Sequence, residues 1–234
     1  MPEWILSETW KSAYPDASVG VLAMEGVANP AHHAGLEARK TALEGELRAR
    51  YAGYDRAAFK ALPTVQAYNA YYRRFKKSYH VLLQLESVVL KEKPIPSVAA
   101  LVETMFMAEL DHQLLTAGHD LALVHGAPRI DVADGSERYL RLNGKAQQLK
   151  PGDMYIADQH PDGPWGGVLS SIIYGPDQRT RITGETTAVL FTVYAPSGIE
   201  TAAVQQHLEA IQSYVRLVSP QAQTTLLQVY QAKP

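Results

Sequence analysis

The chain has 234 residues, 46% hydrophobic and 20% charged, a globular mixture and not a disordered one. With 22 Lys+Arg against 24 Asp+Glu, its net charge of −2 disfavours a broad phosphate-gripping surface. It has no cysteine, which excludes disulfides, thiolate nucleophiles, iron–sulfur clusters and cysteine–zinc sites. The start, Met1-Pro2-Glu3-Trp4-Ile5-Leu6, lacks the basic and apolar regions of a secretory signal. No apolar run approaches the roughly 18 residues that span a bilayer, so a soluble cytoplasmic protein with no membrane partner is expected.

The first thirty residues read as a short extended stretch and one strand at 19–26, before Asn29-Pro30 breaks the chain. Leu36, Leu43, Leu47 and Tyr51 put one apolar face on a helix over 32–51. Val65, Tyr68, Tyr72, Phe75 and Tyr79 mark a second helix, and Val81, Leu82, Leu85, Val88 and Val89 a third, ended by Pro94 and Pro96. Ser97 is placed to cap a fourth, striped by Val98, Leu101, Val102 and Met105.

After Leu115 the character changes. Segments 129–133 and 138–142 flank Asp134-Gly135 and predict a hairpin. Strands are expected at 154–158, 168–174 and 188–194, the last apolar on both faces and therefore central. Val204, Leu208, Ile211, Val215 and Val218 define a C-terminal helix that packs internally or joins two copies, and 226–230 reads as an edge strand. Runs of helices followed by runs of strands predict an α+β fold.

Familiar catalytic motifs are absent: no GxGxxG, no Walker A loop, no HExxH and no GxSxG. Gly166-Gly167 before Ser170 and Ser171 is not a nucleophile elbow, and those serines read as strand residues. The main anomaly continues the apolar stripe of the fourth helix from Met105 to Glu109 and His112. Polar groups on a core-facing stripe are costly unless paired or open to a cavity. With His119 and Asp120 shortly after, the four could converge on one pocket as acid and base for water activation. The alternative is a helix end in solvent, its histidines satisfied by backbone. As a metal site, Glu109, His112 and His119 lack a familiar spacing, and no metal or cofactor is expected.

Two basic features remain. Arg73, Arg74, Lys76 and Lys77 alternate with Tyr71, Tyr72, Phe75 and Tyr79, which suits single-stranded nucleic acid or simply a solvated helix face. Arg179 and Arg181, two apart, face one way in extended backbone and could grip a phosphate or carboxylate. The following Thr183-Gly-Glu185-Thr186 suits capping turns of a surface loop equally well.

Three stretches carry a resemblance. They are Ala67-Tyr-Asn-Ala-Tyr-Tyr-Arg-Arg-Phe-Lys-Lys77, Lys93-Pro-Ile-Pro-Ser97 with Leu101-Val102, and Leu115-Thr-Ala-Gly-His-Asp-Leu121. Pro151-Gly-Asp-Met-Tyr-Ile-Ala-Asp158, Ser170-Ser-Ile-Ile-Tyr174, Arg179-Thr-Arg-Ile-Thr183-Gly-Glu-Thr-Thr187 and Val189-Leu-Phe191 continue it. Together, over about 65–215, they resemble the tRNA-binding/editing domain of the phenylalanyl-tRNA synthetase beta chain, and more closely its free-standing relatives. The resemblance implies an unusual β-sandwich core with helices packed outside. It also implies hydrolysis of mischarged tRNA, chiefly carrying tyrosine, without metal or covalent nucleophile.

By that resemblance Glu109, His119 and Asp120 are the catalytic candidates. His112, Ser170, Ser171, Tyr174, Glu185 and Thr186 would line the pocket, and Arg73, Arg74, Lys76, Lys77, Arg179 and Arg181 would meet RNA. The chain departs from the pattern at Ala117, where the synthetase has histidine, at Glu103 and Phe106, and at Gly175-Pro176 in place of paired glycines. The expected division is an N-terminal extension over 1–60 packed on an editing-like domain over 61–234. The expected function is a free-standing module that binds or edits aminoacyl-tRNA, and not an aminoacylating ligase. The alternative is a non-catalytic binder of RNA or of a small amino-acid-like ligand. The sequence leaves the oligomeric state open.

Overall fold

The computed structural model describes residues 3–160 and 167–233; Met1, Pro2 and Gly166 lie outside them. The chain begins with β1 (Ile5–Leu6), α1 (Glu8–Ala13) and β2 (Ser18–Glu25). Five helices follow: α2 (Ala34–Arg50), α3 (Arg56–Ala61), α4 (Pro63–Arg74), α5 (His80–Val89) and α6 (Ala100–His112). Strands then dominate: β3 (Leu115–Asp120), β4 (Arg129–Val132), β5 (Arg138–Leu140), β6 (Ala146–Gln148), β7 (Met154–Ala157), β8 (Val168–Ser171), β9 (Gly175–Pro176) and β10 (Ala188–Ala195). Helix α7 (Thr201–Val218) and strand β11 (Gln223–Gln231) close the fold, which is mixed α+β.

One sheet runs β11-β2-β10-β3 and a second β1-β4-β7-β8-β9, with β5-β6 as a separate ribbon. Strands β2 and β10, both almost wholly apolar, pair antiparallel from Ser18↔Ala195 to Glu25↔Ala188, as a central strand buried on both faces should. Helix α7 lies on one face of this sheet. A Cβ on Gly20 would sit 2.5 Å from Val204 Cγ1, so only glycine lets α7 approach there. The α7 stripe of Val204, Leu208, Ile211 and Val215 is wholly buried, so it is consumed inside the chain. The opposite face of β10 meets the second sheet, where the Tyr194 hydroxyl donates to the Ser170 carbonyl at 2.9 Å.

The aromatic run of α4 is core. Tyr68 stacks on Tyr79 with centroids 4.2 Å apart. Its hydroxyl accepts the Leu115 amide at 2.9 Å and donates to the Tyr194 carbonyl, so one side chain ties β3 to β10.

Several sequence expectations are corrected. The second helix stops at Arg74 instead of running to Tyr79, because Lys76 takes φ 56°, a turn that breaks the ladder. Ser97 does not cap α6. Its hydroxyl accepts from Lys40 Nζ at 2.7 Å, while Asn29 Oδ1 takes the Leu101 amide and Glu103 Oε1 the Val98 amide. Lys40 and Glu103 form a buried pair at 2.8 Å, which gives Glu103 a structural task.

The segments flanking Asp134-Gly135 do not pair with each other: β4 pairs with β1 and β7, and β5 with β6. The Glu137 carboxylate takes the amides of both Asp134 and Gly135, which curls the link into a local loop. The stretch 115–120, for which the sequence pattern predicts no strand, is the fully buried strand β3. Its Gly118 admits Ile182, whose Cδ1 would lie 2.8 Å from any Cβ there.

Candidate functional site

Helix α6, strand β3 and the β8–β9 turn enclose a cavity of about 240 Å³. Val102, Met105, Phe106, Ile172 and Ile182 make it mainly apolar, and Glu109 is the only carboxyl lining it among the described residues. The apolar stripe of α6 carries Glu109 there at 2% exposure. Its Oε1 accepts the Thr116 amide at 2.8 Å, and among the described residues nothing bonds Oε2. Burial raises its pKa to about 8, opposed in part by the Thr116 amide. At neutral pH the group is a carboxylic acid with one hydroxyl to offer.

A polar cleft of about 490 Å³ adjoins this cavity. It is lined by Lys77, His80, Arg141, Asn143 and Tyr174, and it shares His80, Leu142, Gly175 and Pro176 with the cavity wall. Lys77 Nζ stands 5.6 Å from the centre of the Tyr174 ring. Exposed Arg181 lines the cavity from the far side. Sequence reasoning missed His80, Arg141, Leu142 and Ile182. The one signal was Leu142, an apolar residue at the tip of a polar ribbon beside Asn143-Gly144.

His119 is elsewhere. It is fully buried between the sheets, with Nδ1 2.8 Å from Thr180 Oγ1 and Nε2 3.3 Å from Ser170 Oγ. Thr180 gives its single hydroxyl proton to Asp177 Oδ1 at 2.6 Å, so His119 Nδ1–H donates to Thr180, and Nε2 faces the Ser170 hydroxyl, which also lies 2.8 Å from the Tyr194 hydroxyl. The chain Ser170–His119–Thr180–Asp177 has the outline of a nucleophile, base and orienter. Burial, and next the Arg179 charge, depress the imidazole to about 3, and Ser170 has no exposed surface. An imidazole this weak is a poor proton acceptor at neutral pH, and no ligand reaches the serine. The chain is a clasp between sheets.

The four residues expected to converge do not meet in one pocket. Asp120 Oδ2 accepts the Thr186 hydroxyl at 2.7 Å and Oδ1 the Ala122 amide. His112 faces His207 of α7, their rings 5.4 Å apart, and His207 Nε2 lies 2.7 Å from Thr116 Oγ1. His119 and Asp120 are consecutive in β3 and so point to opposite faces of the strand. Ser171 lines the cavity and Tyr174 the cleft, whereas Glu185 and Thr186 lie beside a separate surface hollow with Asn29 and His33.

Of the basic residues, Arg73, Arg74, Lys76 and Lys77 are exposed, with Arg74 stacked over Tyr14, Tyr71 and Phe75. Arg179 and Arg181 are not a pair. The turn closed by the Thr180 amide on Asp177 Oδ1 breaks the extended backbone. It sends Arg179 inward to the Leu123 carbonyl at 2.6 Å and Asp158 at 3.0 Å, leaving Arg181 alone outside. Among the described residues no three His, Asp or Glu side chains gather as metal ligands, and no helix is long and apolar enough to cross a membrane.

No protein-family model matches this chain. The phenylalanine–tRNA ligase beta subunit of Cereibacter sphaeroides is 34% identical over 61 residues, which are 26% of this chain and 8% of that protein. The match therefore spans a small part of that relative. An N-terminal fragment of the phenylalanyl-tRNA synthetase beta subunit from Pyrococcus horikoshii aligns with 97% of this chain and 50% of its own, at 10% identity and a TM-score of 0.47.

Proposed function

We propose that the chain is a tRNA-related module in which the cleft and cavity together hold the acylated end of a tRNA, and that it hydrolyses a mischarged ester in trans. The observation that carries this reading is the shared wall of His80, Leu142, Gly175 and Pro176 between a cleft with two cations and a ring and an apolar chamber with one acid. Cations beside an aromatic ring suit a phosphate and a stacked base. The chamber suits an uncharged side chain, with the Glu109 hydroxyl donating to an acceptor on it or to the ester carbonyl. The local likeness to a phenylalanine–tRNA ligase beta subunit supports the tRNA half of the reading. In this reading residues 1–60 belong to the same unit as 61–234, since β2 is bonded on both sides by β10 and β11.

The test is release of amino acid from a panel of correctly and wrongly charged tRNAs by the purified chain. Turnover of at least one mischarged species, lowered on the order of 10²-fold in Glu109→Gln, is expected. No turnover across the panel removes the catalytic half.

A second reading is a non-catalytic binder of a small amino-acid-like ligand. The net charge of −2 and the internal use of Arg179 favour it. It expects saturable binding of the free ligand that salt does not weaken. A tRNA complex instead loses affinity with salt in proportion to the phosphates it neutralises.

A further inference from the structure

The four-stranded sheet ends on one side in β11, and among the described residues nothing pairs with its outer edge. This strand is nine residues long, Gln-Thr-Thr-Leu-Leu-Gln-Val-Tyr-Gln, about 30 Å of ladder at the usual rise per residue. Exposed edges of this length invite pairing, and folded proteins usually blunt them with Lys, Pro or a covering element. Here the strand has no charged residue and no proline, although charged residues make up 20% of the chain. One bulge lies between Thr224 and Leu226, near its start, and leaves residues 226–231 in regular register with β2. The other end of the sheet is different: β3 is fully buried.

We propose that the free edge of β11 is the docking surface for a second copy of this chain. Two antiparallel β11 strands would meet about a two-fold axis and join the sheets of both copies into one of eight strands. An antiparallel edge is complementary to itself, since each strand offers the same alternating N–H and C=O groups. About a two-fold the residue at the axis meets its own copy and every other residue meets one equally far on the other side, so a charge near the middle of the strand would face a like charge. A strand free of charge meets that requirement, whereas an edge built for a charged peptide would carry the opposite sign. The cation bonded to this strand, Arg216 on Thr224, sits at its start, away from the middle. The chamber and cleft play no part in the contact, so this inference stands apart from the proposed function.

The experiment measures molar mass by light scattering from micromolar to several hundred micromolar. Wild type is expected to approach twice the 25.8 kDa of one chain. Gln228 is exposed near the middle of the strand, so Gln228→Lys should weaken the dimer about tenfold or more while circular dichroism stays unchanged. An equimolar mixture of Gln228→Lys and Gln228→Glu should regain it. Backbone amides of β11 should exchange more slowly at high than at low concentration of wild type. A wild type monomeric throughout overturns the proposal. So does a dimer that neither Gln228→Lys nor β11 amide exchange reports, since its interface would then lie elsewhere.

Discussion

The two ends of strand β3 hold similar polar groups in opposite conditions. At the His119–Asp120 end every side chain is occupied: His119 by Thr180 and Ser170, and Asp120 by Thr186 and the Ala122 amide. At the Thr116 end, Glu109 uses one oxygen on the Thr116 amide and turns toward the chamber with the other free among the described residues. Both ends are buried, so burial alone does not separate a functional group from a structural one. Unused hydrogen-bonding capacity beside a cavity does.

The largest effect expected from this contrast is at the occupied end. His119→Ala removes the link between Ser170 and Thr180 and opens a hole between the sheets. A loss of about 3 kcal/mol follows from the cavity a missing buried side chain leaves, since Thr180 keeps Asp177 and Ser170 keeps Tyr194. Thermal unfolding should show it, while protein still folded keeps the ligand affinity and pH profile of wild type. A stable His119→Ala protein lacking only turnover would reverse the assignment of the two ends.

Glu109 gives the next effect, through pH. Its carboxyl is raised from 4.5 to about 8 in the folded chain. The folded state therefore keeps a proton that the unfolded state releases, and stability from this group is full below pH 4.5 and declines as pH rises to about 8. Glu109→Gln keeps an acceptor for the Thr116 amide and cannot ionise. Its stability relative to wild type should climb over that window by about 1.4 kcal/mol per unit at most, a few kcal/mol in all. Denaturation midpoints for both proteins from about pH 4 to 9 check this; parallel curves would mean the carboxyl is not sequestered.

The helices and the central strand are legible in the sequence and the site is not, for one physical reason. Periodicity reports which face of an element is apolar, as in Leu36, Leu43 and Leu47 of α2 or Val204, Leu208 and Ile211 of α7. It reports nothing about which distant group takes a free amide. Asn29 and Glu103 displaced Ser97 as the cap of α6, and the Thr180 turn divided Arg179 from Arg181. Strand β3 escaped because glycine and histidine weaken the strand signal, though its neighbours β10 and Ile182 require the one and the clasp the other. Glu109 was visible as a break in a stripe, but the cleft beside it draws on residues 77, 80, 141, 143 and 174, which no local pattern joins.

Two smaller effects sharpen the contrast among the cations. Arg179→Ala breaks bonds to the Leu123 carbonyl and Asp158 and should cost about 1–2 kcal/mol in urea unfolding. Any RNA affinity should be untouched; a fall in affinity without a fall in stability would make Arg179 a direct RNA ligand after all. Neutralising Arg73 and Lys76 together should shift stability by about 0.5 kcal/mol or less, since both are exposed and neither lines the cleft. If they touch single-stranded RNA, the salt slope should shrink by about 0.7 for each phosphate no longer neutralised. An unchanged slope would restrict RNA to the cleft.

The position of β2 has a consequence for how the chain is made. This apolar strand, Ser18–Glu25, finds its partners only in Ala188–Ala195 and Gln223–Gln231, more than 160 residues later. On a ribosome it emerges well before either partner and stays unpaired until they are made. Pairings so distant in sequence slow folding and leave an unsatisfied strand open to wrong partners meanwhile. The helices from α2 to α6 lie between the two appointments and can form by local interactions. The sheet that supports the chamber would then form only after them.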